Sequence, residues 1–147
     1  MRRRVLIATG IVVFVGVSFV IARYLTSEGR ERSAVVDLIT AQARGDAGAM
    51  LDDLDPACRA DQRCRSTVER NASRLRREGE PKIISLKSET AYALGEATGT
   101  TRVAWTVIDG GLPVVQCVEV RRAGSAVAGR SVTLLAISAP IGNEASC

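Results

Sequence analysis

Four cysteines are the most reactive side chains in this sequence: Cys58, Cys64, Cys117 and Cys147. Thiols ligate metal, carry redox chemistry or close disulfides, and spacing separates these uses. No C-x-x-C pair occurs, which disfavours both a zinc site and a thioredoxin-like redox pair. An even number of cysteines in an exported domain reads as two disulfides. Three connectivities are open. The expected one joins Cys58 to Cys64 within one helical region and Cys117 to Cys147, holding residue 147 against a strand. No metal and no cofactor is expected.

Histidine is absent. Ser-His-Asp and Cys-His nucleophilic systems therefore cannot be assembled within the chain, and mixed His/Cys zinc sites are excluded. Asp37, Asp52 and Asp53 fall on solvated helix faces, and Glu119 lies opposite the apolar stripe of its strand. No carboxylate pair has a spacing that demands acid–base work. The expectation is a protein that is not an enzyme.

Binding chemistry has two candidate sets. Trp105, the single tryptophan, lies mid-strand and serves either as a core anchor or, with Tyr92, as a pocket wall. Arg63, Arg70, Arg74 and Arg77 recur on one stripe of a helix. They form either a solvated flank, balanced by Glu69, Glu78 and Glu80, or a docking surface for an acidic partner or anionic headgroups. Nucleic acid is not an expected partner. The net charge of +4 owes three positive charges to Arg2, Arg3 and Arg4, and beyond residue 22 there are 17 positive against 16 negative charges. Aromatic residues are only 3% of the chain, too few for base-stacking platforms.

The elements that carry these residues begin with an uncharged run, Val5 to Ala22, behind the three arginines. Its 18 residues rise about 27 Å as a helix, close to the hydrocarbon thickness of a bilayer. The expectation is a basic cytoplasmic tail (1–4), a transmembrane signal anchor (5–22), a short tether (23–27) and an extracytoplasmic domain (28–147). Cleavage after Ala22 is the competing reading, although the run exceeds the usual signal-peptide core. This organisation implies a single-pass cell-membrane protein with its N-terminus in the cytoplasm.

Beyond the tether, Ser27 can cap a helix carrying Val35, Val36, Leu38, Ile39 and Ala43 on one face, ended by Gly45. Asp46 caps a short helix, Asp55-Pro56 opens another turn, and Asp61 caps a helix to about Arg77. Strands follow at Lys82–Glu89, Thr100–Ile108, Val114–Arg121 and Arg130–Ala139. Turns are expected at Asp109-Gly110-Gly111 and Arg122–Ser125. Helices followed by an antiparallel meander predict an α+β fold, with helices packed on a curved antiparallel sheet of about four strands.

The segment Ala41-Gln42-Ala43-Arg44-Gly45-Asp46-Ala47, with Met50 and Leu54, resembles the first-helix signature of NTF2-like (SnoaL-like) domains, over roughly residues 28–139. A membrane anchor before such a domain is similar to actinobacterial Mce-associated proteins and to VirB8-like components of secretion and conjugation machines. The resemblance implies a cone whose helices and sheet enclose a cavity, and a family in which homodimers are common. Some members are enzymes, some bind small molecules and many bind proteins, so the fold does not choose. The leading expectation is a non-enzymatic, membrane-anchored accessory or scaffold domain of the bacterial cell envelope that acts through a protein partner. The alternative is a domain whose cavity binds an apolar small molecule.

Overall fold

The computed structural model describes residues 2–89, 96–108, 111–125 and 129–147; in the first helix it describes the side chains of residues 9–19, 21 and 29–44. Helix α1 runs from Arg2 to Arg44 without interruption. At about 1.5 Å per residue it is some 64 Å long. It stops where the sequence says it should. Gly45 takes a φ of +78°, its N–H donates to the Gln42 carbonyl and the Asp46 N–H to that of Ala41. A residue with a Cβ would be strained in this left-handed turn.

Three aspartates then start three helices, because a carboxylate accepts the N–H groups that a helix N-terminus leaves unpaired. Asp46 accepts from Ala49 N–H to open α2 (Ala47–Asp53). Asp55 accepts from Ala57 N–H to open α3 (Pro56–Ala60), with Pro56 in the first turn. Asp61 accepts from Arg63 and Cys64 N–H to open α4 (Gln62–Arg74). Cys58 and Cys64 are bonded across the α3–α4 junction with Cα atoms 5.2 Å apart.

Four strands follow: β1 (Pro81–Ser88), β2 (Ala97–Val107), β3 (Val114–Ser125) and β4 (Gly129–Ile137). Each pairs antiparallel with the next in the order β1-β2-β3-β4. The pairing register shifts at Ile83/Ser85 and at Glu119/Val120, irregularities of the kind that bend and twist a sheet. One sheet face carries Val103, Trp105, Val107, Val118, Val120, Leu134 and Ile137. These pack against Val35, Leu38 and Ile39 of α1, Met50 of α2, and Val68 and Ala72 of α4 in one continuous core. Beyond β4 the chain stays beside β3, with Ser138 N–H donating to the Cys117 carbonyl and Ile141 N–H to that of Val115. The Cys117–Cys147 disulfide, Cα atoms 5.7 Å apart, and Arg102, which donates to the carbonyls of Asn143 and Ala145, hold this tail. Both pairings are those expected from the sequence.

The α+β class and the four-stranded antiparallel sheet agree with expectation, but the transmembrane anchor does not. Among the described residues no helix is long and apolar enough to cross a membrane. The placement as a single-pass, signal-anchored cell-membrane protein with a cytoplasmic N-terminus loses its basis with it. Nor is there a tether: residues 23–27 are helical, and Ser27 lies inside α1 instead of capping a new helix. The turn expected at Arg122–Ser125 is strand, since β3 continues to Ser125. The helix expected to reach Arg77 ends at Arg74, where Leu75 donates to the Asn71 carbonyl.

Candidate functional site

Two polar clusters lie between α1 and the sheet, and each follows from the periodicity of its elements. On α1, Glu31 and Gln42 share the face of Val35, Leu38 and Ile39, since residues three and four apart stack on a helix. On β3, Gln116 and Arg122 share the parity of Val114, Val118 and Val120, since alternate strand residues face one side. The fold therefore drives four polar side chains into its core, and all four are buried.

The first cluster is an ion pair. Arg122 donates through Nε to Glu31 Oε2 at 2.8 Å and through Nη2 to the same oxygen. The Thr101 hydroxyl donates to Glu31 Oε1, and Arg122 Nη2 also reaches the Ser88 hydroxyl at 3.1 Å. Both charged side chains are nearly sealed, at 4% and 2% exposure for Arg122 and Glu31. A charge so far from water survives only with its partner and further hydrogen bonds in place.

The second cluster centres on Trp105. Its Nε1–H donates to Gln116 Oε1 at 3.0 Å, and that oxygen also accepts from Gln42 Nε2 at 2.8 Å. Gln116 Nε2 returns a bond to Gln42 Oε1 and another to the Ser138 carbonyl, which also accepts from Asn71 Nδ2. Among the described residues no buried side-chain nitrogen or oxygen lacks a partner. Arg77 lies over the Trp105 ring, 5.5 Å from its centre, and donates to the Leu112 carbonyl at 3.1 Å. Its charge faces the electron-rich ring face, a favourable cation–π placement.

Chemically these clusters fasten; they offer no reactive group to a substrate. Both Glu31 oxygens are occupied, and the carboxylate is buried. Trp105 is fully buried, so it acts as an anchor of the core, not as the wall of an open pocket. Tyr92 lies outside the described residues. Of the arginine stripe, Arg63, Arg70 and Arg74 are exposed on α4, within about 40° of one another at 100° per residue. Arg77 has left the helix and joins Trp105 instead, so the stripe is three residues long. Surface grooves occur among the described residues. One of about 260 Å³ lies on the outer sheet face at Thr100, Cys117, Glu119 and Ala136. Another, of about 390 Å³, lies between α1 and the start of β1.

Sequence reasoning missed Glu31, Arg122, Gln116, Thr101 and Asn71. Parity with Val118 and Val120 was the available sign for Gln116 and Arg122, and four-residue spacing from Val35 was the sign for Glu31. Arg122 reads as the first residue of a turn, Arg122–Ser125, because arginine ordinarily stays in water.

One carboxylate is strained electrostatically. Burial, and then the charges of Asp37 and Asp52, push the Asp53 carboxyl above the ordinary aspartate range, with Arg44 pulling the other way. A raised folded-state pKa means that ionised Asp53 opposes folding above that value, and the opposition is relieved as pH falls through it. Asp53→Asn is therefore expected to raise the urea midpoint at pH 7, with a gain that shrinks as pH drops into the carboxylate range. A gain of equal size at every pH would assign the effect to packing.

No protein-family model matches this chain, and searches of curated proteins and of solved structures find no match.

Proposed function

We propose that the chain is a non-enzymatic protein-contact domain of NTF2-like architecture, an accessory or scaffold component working where disulfides persist. The observation that carries this reading is on α1. Eight large apolar side chains between Ile11 and Ile21 are 50–72% exposed. Five of them, Ile11 to Phe14 and Val15, are consecutive, so they point around the whole helix circumference. A patch of this kind marks an interaction surface. One neighbouring helix covers one stripe only, which favours an assembly that encloses α1 on several sides.

The NTF2-like reading draws support from the Gly45-Asp46 junction between α1 and α2 and from helices lying on one face of a four-strand meander. The two disulfides fit an oxidising setting. The apolar-ligand alternative gains nothing from the interior, where Trp105, Met50, Gln42 and Gln116 fill the space between helices and sheet.

Hydrogen exchange and sedimentation of the full chain, purified under non-denaturing conditions, test the reading. The expected result is a polypeptide assembly larger than the 15.6 kDa monomer, with residues 11–21 protected. A monomer whose residues 11–21 exchange freely would overturn it.

A further inference from the structure

The sheet has two edges and the chain treats them differently. The edge at β4 is engaged at Leu134: Leu54 bridges to it, and the Asp55 N–H donates to its carbonyl at 2.7 Å. At the other edge, β1 is the terminal strand, and among the described residues none pairs with its outer side. An edge strand presents backbone N–H and C=O groups that another extended chain can pair with. Beside this edge runs the groove of about 390 Å³, floored by Val36, Ile83 and Ile108 and rimmed by Arg32 and Lys82, with Glu80 at one end. Ile108 on this groove is 68% exposed, and Ile84 of β1 is 56% exposed.

Charge says what the edge accepts. Between the flanking Glu80 and Glu89, the strand carries only Lys82 and Lys87, both exposed. A second copy pairing antiparallel about Ile84 and Ser85 would set Lys82 against Lys87 twice, and like charges placed directly opposite are destabilising. The same two lysines, with Arg32, attract carboxylates. We propose that the outer edge of β1, from Pro81 to Lys87, takes up an extended segment of a partner protein, with acidic residues meeting Lys82 and Lys87 and apolar residues seated against Ile83 and Ile108. The added strand supplies main-chain hydrogen bonds, and the side-chain pattern supplies selectivity. The surface is separate from the apolar stretch of α1, so either can fail without the other.

The test uses the full chain and two nine-residue labelled peptides that alternate valine or isoleucine with glutamate in one and lysine in the other. Fluorescence anisotropy reads binding and hydrogen exchange reads its place. The expected result is that the glutamate peptide binds, protects residues 81–88 and weakens in high salt, while the lysine peptide does not bind. The Lys82→Glu/Lys87→Glu variant is expected to bind the glutamate peptide about tenfold or more weakly. Failure of the glutamate peptide to bind at millimolar concentration would overturn the proposal. So would equal binding of both peptides, protection elsewhere, or concentration-dependent protection of residues 81–88 without peptide, which would assign the edge to a second copy.

Discussion

Glu31→Ala is expected to cost about 3–5 kcal/mol of unfolding free energy, because it leaves the Arg122 guanidinium buried without its counter-charge. For a chain of this length that corresponds to a fall in Tm of about 10 °C. Arg122→Met should cost a similar amount, for it strands the carboxylate instead. The double variant Glu31→Leu/Arg122→Met should recover much of the loss, since apolar side chains of similar size remove both desolvation penalties together. Urea denaturation of the unaltered protein and the three variants at neutral pH ranks them. Single losses below about 1 kcal/mol would mean that water reaches the pair, as in exposed ion pairs. The pair also has a consequence for α1. It fastens the helix to β3 ten residues after Ile21.

The second large effect is at Trp105. Trp105→Ala is expected to cost about 3–5 kcal/mol, the usual range for removing a large buried aromatic side chain. It also deprives Arg77 of the ring beneath it. Trp105→Phe separates the contributions. The ring remains for packing and for Arg77, while the hydrogen bond to Gln116 is lost, so a cost nearer 1–2 kcal/mol is expected. Gln116 Oε1 still accepts from Gln42 in that variant, which keeps the loss small. Chemical denaturation of both variants checks the ranking. If phenylalanine were as costly as alanine, the amide network would outweigh the packing.

What was legible in the sequence was local. Asp46, Asp55 and Asp61 cap the helices they were expected to cap, because a short carboxylate reaches only its own helix start. Gly45 ends α1 because few other residues accept its backbone angle. The strands at β1 to β4 were visible through alternation and turn residues, and the two disulfides through cysteine number and spacing. What was missed depends on partners distant in sequence. Arg122 looks like a turn residue until Glu31, 91 residues away, is placed beside it. Arg77 reads as one more helix-flank cation until the end of α4 swings it over Trp105. The continuity of α1 through residues 23–27 was hidden for another reason: Ser27 is a good cap by type, and residue type alone does not show that the helix is already running.

Site-specific photo-crosslinking from Phe14 in the cells that make the protein, with mass spectrometry of what is attached, tests most directly the proposed enclosure of the α1 apolar stretch by protein. Phe14 is 72% exposed and lies within the stretch, so a probe there reports its immediate neighbour. Discrete crosslinks to polypeptide are expected, reproduced from Val12 and Val15 on other sides of the helix. Label recovered only on lipid, or only on water-quenched monomer, would contradict it.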